Sequence, residues 1–376
     1  MKILIAPDSF KGTATAAQAA RALADGWRSV RPHDDLVLLP MADGGEGTLE
    51  AVASATPGAE VRAVPGCTGP DGRGVDGAYA MLPDGTALVE LAVAGGLPLL
   101  EGRSAPLTAT TRGTGETIAR ALDDGARRLV VALGGSASTD GGAGLLSALG
   151  LRLLDAGGRL LPDGGGALVQ AATADLTALR PPPPGGVLLL SDVTNPLRGP
   201  EGAAAVYGPQ KGAGPGEVAH LDRGLARLAT LLGGDPEAPG AGAAGGTAYG
   251  LAAAWDAQVV PGSAAIADLL ALDRELDAAD LLITGEGCFD RTSALGKAVG
   301  ESLHRAHRAG TSAAVVAGRV AAADDRAHTL LSLTALAGDD ASARAHAPYW
   351  LRRAGATLAA EAFQGLSGGS GSRPRP

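Results

Sequence analysis

Residues 2–13 read KILIAPDSFKGT. The stretch begins as a continuous apolar run and ends in a short polar loop, which leads into a segment of helical length at 14–30. A continuous run, rather than an alternating one, is typical of a strand that is covered on both faces. The stretch therefore predicts a strand, a loop and a helix, the repeating unit of a layered α/β protein.

The same pattern returns along the chain. Further helical stretches lie at 114–125 and 296–309, and strand-like apolar runs lie at 36–41, 127–135, 186–193, 280–287 and 313–318. Alternating strands and helices predict a mostly parallel sheet. Residues 60–92 differ, because Gly and Pro cut them into segments that predict small antiparallel strands. We therefore predict an α/β fold in which a second, mixed α/β domain is inserted into the first, with a cleft between the two.

The predicted domain boundaries follow from these changes in pattern. The core domain is predicted to comprise residues 1–65, 110–148 and 262–362, and the inserted domain residues 66–109 and 149–261. The final stretch, QGLSGGSGSRPRP, is rich in Gly, Ser and Pro and predicts a disordered tail at 364–376.

Composition excludes several classes of protein. The net charge of -9 argues against nucleic acid or an anionic membrane as a general partner. The start, MKILIAPDSFKG, is too short an apolar run for a signal peptide, and no run reaches the length of a membrane span. Two cysteines cannot build a disulfide framework. A cytoplasmic protein is predicted.

Lysine is rare in this chain. Most of the 31 basic residues are arginines, and the lysines are Lys2, Lys11, Lys211 and Lys297. A lysine that persists against such a bias is expected where a compact ammonium is needed and a planar guanidinium does not fit. Lys2, an ordinary surface position beside the start, is the counterexample.

Five glycine-rich loops fall at predicted strand ends, where open α/β sheets bind their ligands. In the first, at 6–13, Asp8 ends the strand and Lys11 precedes the helix. An ammonium near a helix N-terminus suits an anionic oxygen. The alternative is that Ser9 or Thr13 only caps the helix.

The second loop, PMADGGEGT at 40–48, looks like a phosphate cradle, yet it carries two acids, Asp43 and Glu46, and no base. Backbone amides gather anions, whereas carboxylates repel them. We expect the turn to hold a metal ion or a hydroxyl-bearing substrate, with the phosphate bound by amides elsewhere. Spacing alone does not choose between the two ligands.

The third loop, GGSASTDGGAG at 134–144, offers amides to a phosphate but contains Asp140. The alternative is a tight strand-to-helix turn with Asp140 as its cap, and this alternative is favoured for Ser136 and Ser138.

The fourth and fifth loops carry further acids. Residues 191–213 contain Asp192 at the end of an apolar strand, where an acid is costly without a partner, together with Lys211 and the turn residue Asn195. Residues 279–297 place Glu286 and Asp290 past another strand end. The alternative there makes Asp290 or Thr292 a helix cap and Lys297 a surface residue.

Acids at several strand ends, with lysines in the loops, are compatible with a divalent cation that binds both carboxylates and phosphate and so offsets their repulsion. Mg²⁺ takes one or two carboxylates, some waters and phosphate oxygens. Phosphoryl transfer then needs positioning, charge neutralisation and an acid that orients the attacking hydroxyl. The sequence contains no P-loop, protein-kinase or G-x-G-x-x-G motif after the first strand.

At these five loops the chain resembles the bacterial glycerate kinase family, the type that makes 2-phosphoglycerate from D-glycerate and ATP. The order and spacing of the motifs agree from residue 2 to about 320. The matching segments are APDSFKGT (6–13), PMADGGEGT (40–48), GGSASTDGGAG (134–144), DVTNPL through YGPQKGA (192–213) and the ITGEG segment (281–297).

The resemblance implies a flavodoxin-like core domain, an active site in the interdomain cleft, and ATP and Mg²⁺ as cofactors. We predict that Asp192 orients or deprotonates the substrate hydroxyl, and that Lys11 and Lys211 contact the phosphates or the glycerate carboxylate. The other predicted site residues are Asp8, Asp43, Glu46 and Asn195 for the substrate, Gly134, Gly135, Ser136, Asp140 and Gly285 for the nucleotide, and Glu286 and Asp290 for the metal. Asp43, Glu46 and Glu286 can each serve the metal or the glycerate hydroxyls.

The predicted function is therefore ATP-dependent phosphorylation of D-glycerate, with D-glycerate and ATP as partners and a monomer or homodimer as the oligomeric state. The alternatives are a kinase that forms 3-phosphoglycerate and a non-catalytic regulator of the same fold that binds a nucleotide or a sugar acid. A hydroxy-acid oxidoreductase is a weaker alternative, because the dinucleotide fingerprint is missing.

Overall fold

The computed structural model describes residues 1–293 and 297–368, and of residues 363–368 it describes only the backbone. The strands are β1 (Lys2–Ile5), β2 (Asp35–Leu38), β3 (Glu60–Thr68), β4 (Gly74–Met81), β5 (Thr86–Glu90), β6 (Arg128–Ala132), β7 (Arg152–Leu154), β8 (Thr173–Asp175), β9 (Val187–Leu190), β10 (Gln258–Val260), β11 (Leu281–Phe289), β12 (Ser312–Val320) and β13 (Thr329–Ser332).

The helices alternate with these strands. They are α1 (Ala16–Val30), α2 (Thr48–Ala55), α3 (Leu91–Gly95), α4 (Arg112–Asp123), α5 (Ala143–Ala148), α6 (Ala203–Tyr207), α7 (Pro215–Leu232), α8 (Ala243–Trp255), α9 (Gly262–Leu269), α10 (Leu272–Ala278), α11 (Ala298–Ala309), α12 (Leu333–Ala337), α13 (Asp340–Ala345) and α14 (Ala347–Gly368). Each predicted apolar run contains a strand, and the Gly-cut region at 60–92 contains β3 and β4, which pair antiparallel, and β5.

The chain divides into two compact units. Unit 1 consists of Met1–Ala42, Glu50–Ala55 and the chain from Ser263 onward, and unit 2 consists of Asp43–Leu49 and Thr56–Gly262. Unit 2 is thus inserted into unit 1 along the sequence. The division differs from the predicted boundaries at 43–49, 56–65, 110–148 and 262, which we placed in the core domain and which lie in unit 2.

The sheet of unit 1 is parallel and has the strand order β13-β12-β11-β1-β2. Counted along the chain, its strands stand in the order 5-4-3-1-2, which is the flavodoxin order read from the other edge. On one face, Ile3 and Ile5 of β1 pack with Leu23 and Trp27 of α1, and α14 closes the same cluster with Leu351. The flavodoxin-like core is confirmed.

The main sheet of unit 2 has the order β10-β9-β6-β5-β4-β3. Strands β10, β9, β6 and β5 run parallel, whereas β4 and β3 continue the sheet antiparallel. Val131 and Leu189 of this sheet pack with Ile118 of α4 and Leu225 of α7. The strand at 128–132 therefore belongs to this second sheet. A strand that is covered on both faces is a continuous apolar run in either sheet, so the apolar pattern of 128–132 could not show to which sheet the strand belongs.

Helix α14 extends to Gly368 and so includes residues 364–368 of the predicted tail, while residues 369–376 lie outside the described residues. Within the part of the chain that the structure describes, no helix is both long and apolar enough to cross a lipid bilayer.

Candidate functional site

The motif residues of unit 1 lie at the point in the sheet where the chain changes the side on which it adds strands. From β1 the chain proceeds to β2 on one side, and it returns later to β11 on the other side of β1. The carboxyl ends of the paired strands β1 and β11 therefore mark the topological switch point, the place where open α/β sheets bind their ligands. The loop that contains Asp8 follows β1, Glu286 lies in the second half of β11, and Asp290 directly follows that strand.

Asp8 is held beside β11 by the backbone. Its amide donates to the Gly285 carbonyl at 2.8 Å, and the amide of Ala6 donates to the Ile283 carbonyl at 2.8 Å, so the parallel pairing continues past the end of β1. Gly285 is required here, because a Cβ at this position would lie 1.9 Å from the Val316 carbonyl oxygen of β12. Predicted as a nucleotide-binding residue, Gly285 has a clear packing role in the sheet.

Lys11 lies in the loop that crosses the end of β11. A Cβ placed on Gly287 would be 3.5 Å from the Lys11 amide nitrogen, so the loop and the strand end approach closely. The Lys11 side chain is exposed. Helix α1 is capped by Thr15, which accepts from the Gln18 amide, and not by Ser9 or Thr13. The loop at 9–13 is therefore not needed to cap the helix.

The two predicted metal ligands differ in environment. Glu286 is buried, with 8% of its surface exposed. Asp290 forms a turn in which one carboxylate oxygen accepts from the Thr292 hydroxyl at 2.6 Å and from the Thr292 amide at 2.8 Å. These bonds to Thr292 lower the pKa of Asp290 and keep it ionised. Helix α11 has Lys297 at its N-cap position, so Asp290 caps a turn and not that helix.

Carboxylates of this kind suit Mg²⁺, which takes one or two protein carboxylates and completes its shell with water and phosphate oxygens. Among the described residues, no group of three or more His, Cys, Asp or Glu side chains is arranged to hold a metal ion by itself. The carboxylate chemistry of Glu286 and Asp290 is of the kind that suits a magnesium ion with further oxygens from a substrate.

In unit 2 the motif residues gather at the carboxyl ends of three neighbouring parallel strands. Asp192 follows β9, the loop at 134–140 follows β6, and Glu90 ends β5. The turn at 43–49 lies against the same edge, because the Gly134 amide donates to the Gly44 carbonyl at 3.1 Å. These acids and this turn therefore occupy one edge of one sheet.

Three backbone amides of the turn at 43–49 donate to carboxylates of the protein itself. The amide of Gly45 donates to the Asp43 carboxylate at 3.0 Å. The amides of Gly47 and Leu49 donate to the two carboxylate oxygens of Glu90, at 3.0 and 2.9 Å. Internal carboxylates thus occupy three of the amides that this turn could offer to a phosphate. The side chain of Glu46 is exposed.

Gly262 brings Asp43 and Asp192 together. Its amide donates to the Asp192 carboxylate at 3.0 Å, and a Cβ on Gly262 would lie 2.0 Å from the Asp43 carbonyl oxygen. Asp192 is exposed. The partnership that an acid at the end of an apolar strand requires is therefore present, and it fixes the orientation of the Asp192 carboxylate.

The loop at 134–144 contains both expected features. Asp140 is fully buried, and its carboxylate accepts from the amides of Gly142 and Gly144 and from both the amide and the hydroxyl of Thr111. Burial raises the pKa of Asp140, and these hydrogen bonds oppose that rise. The geometry supports the reading of Asp140 as the cap of a tight turn.

The first part of the same loop is more open to a ligand. The amides of Gly135 and Ser136 donate to no group within the described residues, and Gly135 is exposed. Their neighbours are fixed, because the Ala137 amide donates to the Gly95 carbonyl at 2.9 Å. Two amides without a partner in the described part of the chain thus lie next to a fixed backbone, that of the exposed Gly135 and that of the buried Ser136.

Lys211 supports this loop from within unit 2. Its ammonium donates to the Ser136 hydroxyl at 2.8 Å and to the Ser138 carbonyl at 2.5 Å, and only 5% of the residue is exposed. Burial lowers the pKa of Lys211 to about 8, and the negative charge of Asp140 opposes that shift. A buried ammonium with neutral hydrogen-bond partners holds the loop in shape.

Asn195 belongs to a different set of contacts. Its side-chain amide donates to the Glu201 carbonyl at 2.8 Å and accepts from the Tyr207 hydroxyl at 2.8 Å. Its backbone carbonyl accepts from the Gly242 amide at 2.9 Å. These bonds support the role of a turn residue, and the structure does not join Asn195 to the contacts of Asp192 and Asp43.

Comparison with known proteins now adds to this geometry. The family model described as the glycerate kinase family matches residues 3–362, which include both units and every candidate residue above. The chain belongs to the glycerate kinase family.

Individual relatives agree with this assignment. The chain is 44% identical to glycerate kinase of Bacillus subtilis (strain 168) and 42% identical to glycerate 2-kinase of Escherichia coli (strain K12), in each case over 79% of this chain and 79% of the relative. It is also similar to a crystal structure assigned as glycerate kinase 2 from Salmonella typhimurium LT2. That similarity has a TM-score of 0.85 at 36% identity and covers 98% of this chain and 99% of the other.

One residue of this glycerate kinase family member escaped the sequence reasoning. Glu90 ends a strand whose residues are all buried, and its carboxylate holds two amides of the turn at 43–49. The signal was present, because TALVE (86–90) closes an apolar run with an acid, as Asp192 does after β9. Glu90 lies outside the five glycine-rich loops from which the candidate residues were predicted.

Proposed function

We propose that this glycerate kinase family member transfers the γ-phosphoryl group of ATP to the 2-hydroxyl of D-glycerate and forms 2-phosphoglycerate and ADP. The bond between the γ-phosphorus and the bridging oxygen breaks, a bond to the glycerate oxygen forms, and the hydroxyl proton leaves. The observation that carries the proposal is the family match from residue 3 to residue 362, which includes the acids at the strand ends of both units. The relative from Escherichia coli named glycerate 2-kinase supports the choice of the 2-hydroxyl.

Asp192 is the proposed acceptor of the hydroxyl proton. Its carboxylate is exposed, and the Gly262 amide fixes its orientation. A loose phosphoryl-transfer transition state needs the attacking hydroxyl to be aligned more than it needs a strong base, and a held carboxylate provides that alignment. The neighbouring Asp43 and the exposed Glu46 are proposed to bind the glycerate hydroxyls.

The loop at 134–136 is the proposed phosphate-binding loop. The amides of Gly135 and Ser136 have no partner within the described residues, whereas three amides of the turn at 43–49, those of Gly45, Gly47 and Leu49, already donate to carboxylates. This contrast supports phosphate binding at the first loop and hydroxyl binding at the second. Lys211 is proposed to keep Ser136 in place, and the exposed ammonium of Lys11 is proposed to contact a phosphate or the glycerate carboxylate.

Glu286 and Asp290 are the proposed holders of Mg²⁺. When bound, the ion would neutralise the charge on the phosphate oxygens. The turn through Thr292 keeps Asp290 ionised and oriented, which is what a metal-binding carboxylate requires.

Phosphorus NMR on the purified protein with D-glycerate, ATP and Mg²⁺ tests the proposal. A 2-phosphoglycerate signal that appears together with ADP, and that a chelator abolishes, is the expected result. A 3-phosphoglycerate signal would retain the kinase and overturn the regiochemistry. If no phosphate ester forms while the ligands still raise the melting temperature, the non-catalytic alternative is correct.

A further inference from the structure

The turn at 43–49 is held by a side chain from another part of unit 2. Glu90, at the end of β5, is 5% exposed. One of its oxygens accepts from the Gly47 amide at 3.0 Å, and the other accepts from the Leu49 amide at 2.9 Å. Glu46 immediately precedes the first of these amides.

The turn needs such support because its backbone is unusual. Gly44 and Gly47 have φ of 86° and 90°, in the left-handed region, so regular secondary structure does not define the path between them. The Gly45 amide is held by Asp43 and the Gly47 amide by Glu90, one on each side of Glu46. Both flanks of Glu46 are thereby fixed.

Burying the Glu90 carboxylate to hold this turn is energetically unfavourable in itself. Removing a charge from water costs free energy that only good hydrogen bonds recover. Two charge-assisted bonds to backbone amides, both at the start of α2 where the helix dipole favours an anion, are suited to that recovery. The same negative charge makes this turn a poor site for phosphate, since it sits on the amides that a phosphate would contact.

We infer that Glu90 is a positioning residue for D-glycerate: it does not touch the substrate but holds the turn at 43–49 so that Glu46 points its carboxylate at a substrate hydroxyl. The inference rests on the proposed function, in which Asp43 and Glu46 bind the glycerate hydroxyls.

The test is a double-mutant cycle of Glu90→Gln and Glu46→Gln, with the KM values for D-glycerate and ATP as readouts. Glutamine keeps the size of the side chain but turns an N–H group toward one of the two backbone amides. Because small displacements of positioning groups are costly, we expect Glu90→Gln to raise the KM for D-glycerate about tenfold or more, with the KM for ATP changed less than about twofold. The double variant should be close to Glu46→Gln alone, since Glu90 acts through Glu46.

Glu116→Gln is the matched control. The Glu116 carboxylate, on α4, accepts from the amide and the hydroxyl of Thr68, on β3, at 2.6 and 2.9 Å. The Glu116→Gln variant should leave the KM values for D-glycerate and ATP unchanged. If Glu90→Gln moves the KM for D-glycerate no more than Glu116→Gln does, or if its effect multiplies with that of Glu46→Gln, the inference is wrong.

Hydrogen exchange provides a readout that does not depend on activity. The peptide that contains Gly47 and Leu49 should exchange faster in Glu90→Gln than in the wild type, with no such change in Glu116→Gln. Unchanged exchange would overturn the inference even if the protein proved to be no glycerate kinase. Should Glu90→Gln fail to fold, Glu90→Asp keeps the charge on a side chain one methylene shorter and is expected to show the same two effects more weakly.

Discussion

At the residue scale, the sequence singled out lysines that persist in an arginine-rich chain, and Lys211 fits that expectation. Its ammonium is buried and donates to the Ser136 hydroxyl and the Ser138 carbonyl. A compact ammonium can make these contacts in a small space, whereas a planar guanidinium is wider and more rigid. Lys2 remains the counterexample, because its half-buried ammonium pairs with Glu275 at 3.0 Å, outside the motif loops.

Lys211→Arg is expected to lower kcat about tenfold or more, because the larger head group displaces the loop that displays the amides of Gly135 and Ser136. Steady-state kinetics with ATP and D-glycerate measures this. Lys2→Arg, the same substitution at a half-buried ion pair outside the motif loops, should leave kcat unchanged and stability within about 0.5 kcal/mol. Equal kinetics for the two variants would contradict the role assigned to Lys211.

Lys211 also predicts how stability depends on pH. Its pKa is lowered to about 8 in the folded protein, whereas an unfolded lysine titrates near 10.4. Above pH 8 the folded protein therefore loses a proton that the unfolded chain retains, so the contribution of Lys211 to the free energy of unfolding rises with pH through this window. Relative to Lys211→Met, the wild type should gain stability between about pH 8 and 10 in urea titrations. A constant difference would mean that the pKa of Lys211 is not lowered.

Asp192→Asn is expected to lower kcat by about 10²–10⁴ and to change the KM for ATP less than twofold, because the amide can still accept from Gly262 but cannot take a proton. Asp235→Asn is the matched control, since Asp235 is an exposed carboxylate that accepts a backbone amide, that of Glu237, at 2.9 Å. Near-normal turnover of Asp192→Asn would assign the base to another residue.

At the element scale, helix packing depends on two glycines that no loop motif contains. A Cβ on Gly26 of α1 would lie 1.9 Å from the Arg352 carbonyl oxygen of α14, and one on Gly355 would lie 2.2 Å from the Leu23 carbonyl oxygen. The two helices thus meet backbone to backbone. Neither position could be recognised from the sequence, because 58 glycines are spread over the chain.

Gly26→Ala is expected to destabilise the protein by about 1–3 kcal/mol, because the added methyl group forces α1 and α14 apart. This should hold although alanine favours a helix over glycine by about 1 kcal/mol. Gly216→Ala in α7 is the control, since nothing lies within 4 Å of the added Cβ, and it should be neutral or stabilising. Urea unfolding measures the stability of both variants. A Gly26→Ala variant that is more stable than the wild type would contradict the close approach of α1 and α14.

At the scale of the whole molecule, ligands that bind only the folded chain should stabilise it by an amount that rises with the logarithm of the ligand concentration relative to its Kd. A non-hydrolysable ATP analogue with Mg²⁺ at 100 times its Kd is expected to add about 2.7 kcal/mol to the free energy of unfolding. D-glycerate should act likewise on the wild type and much less on Glu46→Gln. Thermal melts measure both effects. A D-glycerate shift that Glu46→Gln leaves unchanged would remove Glu46 from the substrate site.

The fold class was readable from the sequence because apolar runs such as 2–7 and 280–287 report burial on both faces of a strand, which is local information. The sheet to which each strand belongs is not encoded in such local patterns. Residues 128–132 carry the same pattern as residues 281–285 but pair with Leu88 and Leu189 in unit 2. Pairing depends on which strand edge is adjacent in space, and periodicity contains no such information.

The sequence by itself determined the α/β class, the positions of the principal strands and the set of acids and lysines at their ends, because each is written in contiguous residues. Tertiary structure decided what those groups are available for. It buried Asp140 under four hydrogen bonds, set Asn195 among turn contacts, and oriented Asp192 through Gly262. It also brought Glu90 to a turn 41 residues away. A hydrogen bond forms between groups that are close in space, and only the folded chain specifies that distance.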